Sequence, residues 1–417
     1  MQATPSVLLA ALIGCGVVTG VSAQSMPNLK FSGFGTIGAV HSDNEYVDFI
    51  GSRLQPNGAG YTRSNSFNPE TKLGVQLAAT FTDKLSGVLQ VVSQHHANNS
   101  YDPEIEWANL KYQFTPELSV RAGRIALPTF ALSESRFVGY ANPTVRPATE
   151  VYFASPVTSS DGVDSTFRSK IGSVNNSLQA YYGSTEIKLP TSTGKGKVLW
   201  GISDTAEVGD LSVHAAYSSI ILDVKDSAAL NGLRGGLVGL SAVPGAVGAR
   251  AAELAGVYRL DDIKLYSLTM AATYDPGSWY VMAEVIKISG ESIFPSSRLA
   301  WSTTAGYRIG TWTPYIGYAK TTTEHDSPTG VTPAAGPAAA LNGLVAGLNG
   351  ALNGLAAEQK TTTAGARWDF MKNVALKAQY DTITTNTTSS GMLINAQPGF
   401  RRGENVNVIS VAVDFVF

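Results

Sequence analysis

The stretch VISVAVDFVF, residues 408–417, ends the chain on a strictly alternating strand whose last residue is an aromatic. Terminal residues of a soluble domain usually fray, and Phe417 would then sit in water. Such an ending has a use only where another strand pairs with it and an apolar medium receives its outer face.

Working outward from that strand, the same period of two returns along the chain in runs of about ten residues, and the helical period is nearly absent. In LKYQF, Leu110, Tyr112 and Phe114 point one way while Lys111 and Gln113 point the other. After the turn TPE, Leu118, Val120 and Ala122 alternate with Ser119, Arg121 and Gly123. A soluble sandwich would account for both faces, so alternation alone does not decide between the two folds. Aromatic placement does. Tyr112, Phe114, Trp200, Tyr217, Tyr274, Trp279, Tyr307, Trp312, Trp368, Phe370, Phe415 and Phe417 gather at strand ends, as in the girdles where amphipathic rings cross a membrane–water boundary.

Composition agrees. The chain has 417 residues, 44% hydrophobic, only 15% charged, with 42 glycines, which is too polar for a bundle of membrane helices and suits many short strands. A net charge of -2 with no basic block excludes a nucleic-acid partner. Residues 1–23 read as a secretory signal, with an apolar run from Val7 to Val21 and a small-residue cleavage site at Val21-Ser22-Ala23, although no Lys or Arg precedes the run. Leu12-Ile13-Gly14-Cys15 resembles a lipoprotein cleavage box, but the run continues past it and a better site follows. Cleavage after Ala23 leaves residues 24–417 without cysteine, hence without disulfides or thiolate metal ligands; no cofactor or metal is expected.

Short turns fall at 82–84, 115–117, 174–176, 207–210, 275–278, 310–311 and 371–373, separated by far longer connections. Short turns on one rim and long loops on the other predict a transmembrane antiparallel β-barrel. The count comes to about sixteen strands, the first from Leu29 in LKFSGFGTIGAV and the last from about Asn405. An even count puts both termini on the short-turn rim, where the last strand closes on the first and makes Phe417 a girdle and assembly residue.

Three stretches, LKFSGFGTIG, LSVRAGRIAL leading into the long segment at 128–163, and VISVAVDFVF, make the chain similar to the sixteen-stranded general porins of Gram-negative bacteria. That resemblance implies an outer-membrane homotrimer of water-filled barrels, inserted by the barrel assembly machinery and surrounded by outer-membrane lipid. It also implies that the segment at 128–163 folds inward as a constriction and that small hydrophilic solutes are the cargo.

Alternation then assigns charges to the lumen: Lys111, Arg121, Arg168, Lys170, Arg308, Arg367 and Lys377, with Glu284, Asp369 and Asp381. Arg124 falls formally on the outer side, where a bulge could turn it inward. The constriction segment supplies Glu134, Arg136, Arg146, Glu150 and Asp161. A basic wall facing acidic loop groups would set a transverse field, and the cationic excess predicts a modest preference for anions.

Other motifs read more simply. GFGTIG at 33–38 fits a dinucleotide-binding pattern, yet no helical period follows it, so its glycines belong to the first strand. Adjacent His95 and His96 would point to opposite faces of a strand, which suits chelation badly, and no nucleophile elbow accompanies them. In the long external segments at 222–264 and 324–360, Leu230, Leu233, Leu237 and Leu240, and Leu341, Leu344, Leu348, Leu352 and Leu355, recur at helical spacing. Packing of one stripe on the other over the pore mouth is expected, against a flexible low-complexity alternative. Passive diffusion is the expected function. A channel specific for organic anions or apolar compounds, or a barrel phospholipase or protease, are the alternatives, and the last would need a catalytic group that the sequence does not offer.

Overall fold

The computed structural model describes residues 27–290, 297–324, 327–332 and 335–417; the signal segment and Cys15 lie outside the described residues. Sixteen long strands form one closed antiparallel barrel. They are β1 (Asn28–Ser42), β2 (Lys72–Thr80), β3 (Leu85–Gln94), β4 (Glu104–Gln113), β5 (Leu118–Ala126), β6 (Ser159–Ile171), β7 (Val174–Leu189) and β8 (Ser192–Val208), followed by β9 (Leu211–Lys225), β10 (Ile263–Tyr274), β11 (Trp279–Gly290), β12 (Ser297–Tyr307), β13 (Trp312–Glu324), β14 (Gln359–Met371), β15 (Val374–Thr385) and β16 (Asn405–Val416). Each pairs with its sequence neighbours, and β1 also pairs with β16.

Alternation is what makes this closure stable. In β16, Val408, Ser410, Ala412 and Asp414 are buried toward the interior, whereas Ile409 and Val411 are exposed on the outer face. Phe31, Ile37, Leu110, Tyr182, Leu268, Met270 and Ile316 belong to the same outer belt. An apolar outer surface is favourable only against hydrocarbon, and a closed ladder leaves no backbone group unpaired there. Two girdles bound the belt. On the short-turn side Trp312 and Trp368 stack at 5.1 Å and Tyr274 meets Trp279 at 5.3 Å; on the other side Trp200, Tyr217 and Tyr266 form a row and Trp301 meets Tyr318. Tyr266 and Tyr274 are eight residues apart on β10, roughly 26 Å along a strand, which is enough to span the apolar layer.

The seam explains both the terminal phenylalanine and GFGTIG. Phe417 exchanges two backbone hydrogen bonds with Gly33, N–H to O at 3.0 Å and 2.9 Å in the two directions. The ring of Phe417 lies over Gly33 and the ring of Phe415 over Gly35, where any Cβ would collide with them. The two glycines thus receive the C-terminal aromatics from the paired strand, a cross-strand packing that offsets the weakness of glycine in a sheet.

Short turns fall where the sequence places them, with one correction. Residues 174–176 already belong to β7, and the turn is Gly172–Ser173, because Gly172 (φ +62°) can adopt the left-handed conformation that a two-residue connection needs. His95 and His96 lie just beyond β3 in a loop, so strand parity does not govern them; both are buried, His95 against Asn99 at 2.9 Å and His96 against the carbonyl of Asp102 at 3.0 Å.

The Leu-rich loops are helical: α2 (Ala228–Ser241) and α3 (Ala246–Val257) between β9 and β10, and α4 (Pro337–Leu355) between β13 and β14. Leu237, Leu254, Leu341, Val345, Leu348 and Leu352 form their shared core. Gly236 lets Leu344 approach α2, and Gly347 lets Leu233 approach α4. Asn342 and Asn349 of α4 hold the residues before that helix, through Val331 and the carbonyl of Pro328.

Candidate functional site: an inner loop fastened across the lumen

Residues 127–158, between β5 and β6, turn into the barrel and are held against one side of it. A four-residue helix, α1 (Thr149–Tyr152), lies over β11, β12 and β13. Phe130 stacks on Tyr152 at 4.5 Å, and both pack with Val151 on Ile286 and Ala300 of the wall. Glu150 accepts hydrogen bonds from Gln359 (2.7 Å) and Thr361. Glu284 accepts one from the backbone N–H of Ala131 (2.8 Å).

The middle of the loop is pinned to β14–β16. Lys377, fully buried, donates to the carbonyls of Gly139, Asn142 and Thr144 at 2.7, 2.6 and 3.0 Å, and its Nζ lies 2.8 Å from Asp414. Arg367 donates to the carbonyls of Tyr140 and Asn142 and pairs with Asp369. Arg146 is clamped between Glu70 and Asp381 beneath the ring of Phe49. Burial alone would lower its pKa, but the two carboxylates hold it above the ordinary arginine range. Residues 133–135 and Phe137 border the space that the loop leaves open.

Two cavities flank this stretch. The one toward the short turns, of about 480 Å³, has Lys111, Arg121 and Arg168 on its wall and Ser133, Glu134 and Ser135 on its loop side. Arg121 reaches to 3.8 Å from Glu134 while a buried Asp164 holds it through bonds of 2.6–3.0 Å. The cavity toward the long loops, of about 720 Å³, is bordered by Glu104, Glu106, Arg124, Phe137 and Asp161. Here Arg124 pairs with Asp161 at 2.7 Å and donates to the carbonyl of Ile105, beside Gly123 at φ +122°. Arg136 stacks over Phe137 and Tyr152, each at 5.6 Å, and burial keeps its guanidinium below the usual range.

The charged positions expected from sequence therefore divide by location. Lys111, Arg121, Arg168 and Glu134 meet around one cavity, and Arg124 and Asp161 border the other. Glu284, Arg367 and Lys377 on the wall, and Arg146 and Glu150 of the loop itself, are the fastenings between the two. Arg308 sits at the short-turn rim, bound to Asp275 at 2.6 Å, and Lys170 is exposed near the short-turn end of β6. Sequence reasoning missed Asp164, Glu70 and Asp414. Two of these were accessible to it: Asp164 shares the parity of Arg168 in β6, and Asp414 is the one acid in the terminal strand.

No protein-family model matches the chain, and no curated protein matches its sequence. Solved structures do match in fold. The outer-membrane channel DcaP of Acinetobacter baumannii aligns with a TM-score of 0.55 at 12% identity, over 96% of this chain and 100% of that one. Salmonella typhi OmpF, in a complex with daunomycin, gives 0.54 at 14% identity over 94% and 98%. An anion-selective porin from Comamonas acidovorans gives 0.53 at 12% identity over 94% and 100%. The fold is that of the outer-membrane porins and channels.

Proposed function

We propose that the protein is a passive diffusion channel of the outer membrane for small hydrophilic solutes and ions, with charge filtering at the space bordered by residues 133–135 and Phe137. The observation that carries this reading is Glu134 facing Lys111, Arg121 and Arg168 across the lower cavity, while the rest of the inner loop is fastened to the opposite wall. Opposite charges on two sides of a narrow aqueous gap orient and sort solutes, because the gap is comparable with a screening length of about 8 Å at physiological salt. Three cations against Glu134, with Asp164 compensating Arg121, leave a cationic excess and a modest preference for anions. The fold likeness and the apolar outer belt support placement in the outer membrane as a homotrimer, delivered by the barrel assembly machinery, and the reading requires no catalytic residue. Liposome swelling with a graded series of neutral sugars tests it: entry rates should fall smoothly with solute size, and impermeability to the smallest sugar would refute it.

A further inference from the structure

Beneath the inner loop, inward hydroxyl groups are taken up by protein carboxylates: Thr36 donates to Asp414, Thr361 to Glu150 and Thr363 to Asp381. The strand wall of the cavity toward the short turns differs. Its Thr205 hydroxyl meets the ring of His214 at 3.0 Å, but the hydroxyls of Ser119, Thr166, Ser177 and Ser203 bond to no protein group among the described residues. The same holds for the Lys111 ammonium and the Arg168 guanidinium, whereas Arg121 is held by Asp164. Arg168 is exposed and Lys111, Ser177, Gln179 and Thr205 are half-buried, so their polar ends are within reach of a solute in the cavity.

Strand pairing sets these groups in order. Arg168 of β6, Ser177 of β7, Thr205 of β8 and His214 of β9 stand opposite one another in one row. The next inward row runs Ser119 of β5, Thr166 of β6, Gln179 of β7 and Ser203 of β8. Neighbours in a row are about 4.8 Å apart, the spacing of paired strands, and the closed ladder fixes them. The Gln179 amide N–H donates to Asp164 at 2.6 Å, which leaves its oxygen as an acceptor. Lys111, paired with Arg121 across β4 and β5, borders the patch on one edge and Arg168 on another. Lys111 and Arg168 against Glu134, with Arg121 neutralised by Asp164 and His214 neutral, leave one net positive charge around the cavity.

We propose that this patch binds a polyhydroxy carboxylate, a sugar acid, with the carboxylate on Arg168 or Lys111 and the hydroxylated body along the two rows. Either cation gives the carboxylate charge-assisted hydrogen bonds. Each solute hydroxyl donates and accepts, as the wall hydroxyls do, so the body replaces the water it displaces bond for bond. An alkyl chain of equal length would displace that water and return nothing. One net positive charge matches a single carboxylate; the second negative charge of a phosphate monoester would have only Glu134 left to face. The proposal rests on the channel reading and narrows it to a preferred solute class.

Gluconate is the probe, compared with hexanoate, which has the same carboxylate and carbon count without the hydroxyls; each is added on the short-turn side of channels in a planar bilayer bathed in potassium chloride. Brief, saturable interruptions of the current are expected, at about tenfold lower concentration for gluconate. Ser177→Ala with Thr205→Val should remove most of that difference and leave hexanoate unmoved, whereas Lys111→Gln with Arg168→Gln should weaken both acids about tenfold. Arg259→Gln, an exposed change in an external loop, should alter neither. Glucose 6-phosphate should bind no more tightly than gluconate. Absence of interruptions, equal occupancy by the two acids, a hydroxyl-deleted variant that shifts both alike or neither, or tighter binding of the phosphate would overturn the site. Absence of any conductance would instead overturn the channel reading.

Discussion

Replacing Lys377 by Met should unfasten the inner loop while leaving the barrel closed. Lys377 Nζ holds three loop carbonyls and Asp414, and both ionic side chains are fully buried. Removing the cation leaves Asp414 charged with only the Thr36 hydroxyl at 2.5 Å, a loss of about 3–5 kcal/mol for breaking one side of a buried pair. The carbonyl of Thr144 also loses its donor, adding about 1 kcal/mol, whereas the carbonyls of Gly139 and Asn142 keep the Asn142 N–H and Arg367. Urea unfolding in lipid vesicles should show the destabilisation, and single-channel recording should show a larger and noisier current as residues 139–146 leave the wall. The double variant Lys377→Met with Asp414→Asn separates the two effects: a neutral pair should recover most of the stability, but the current should stay noisy, since the loop still lacks the ammonium that gathers its three carbonyls. A single variant within about 0.5 kcal/mol of wild type and with unchanged current would refute the idea that this side chain fastens the loop.

Deleting Val416 and Phe417 removes the seam bonds to Gly33 and the ring that covers it, so heat-modifiable barrel in the outer membrane should fall far more than after a two-residue deletion in an external loop. Arg placed at Ile202, on the mid-height outer face, should destabilise by about 2–4 kcal/mol, and at inward Gln179 by very little; urea unfolding of the two variants checks it. At the short-turn rim, hydrogen bonding from Arg308 holds the Asp275 carboxyl below the usual range. Its contribution is therefore present above about pH 4 and lost as pH falls through the depressed value. Wild type and Asp275→Asn should differ by under about 1 kcal/mol at neutral pH and converge in acid, as read from unfolding midpoints across that range.

Strand parity made most of the fold legible. Period two names the face of every residue in a strand, and the girdle aromatics tell which face meets lipid, so the seam at Phe417 and the inward positions of Lys111, Arg121 and Lys377 follow from sequence. What parity cannot say is what packs on the inner face. Lys377 and Lys111 look alike in sequence, yet one lies beneath a loop and the other beside a cavity, because residues 139–146 settle on β14–β16 and not on β4–β6. That choice depends on contacts across more than 200 positions, such as Arg146 with Asp381 and Lys377 with Gly139. Leucine spacing, by contrast, is local and makes α2 and α4 legible, whereas α3, with Leu254 as its one leucine, carries no such stripe.

Charge filtering at Glu134 is tested most directly by the reversal potential across a potassium chloride gradient in planar bilayers. Wild-type channels should show a modest preference for chloride that weakens as salt rises, Glu134→Gln should strengthen it, and Lys111→Gln with Arg168→Gln should carry the potential toward potassium. Clear potassium selectivity of the wild type at low salt, or a Glu134→Gln potential that does not move, would contradict the assignment of this cavity as the filter.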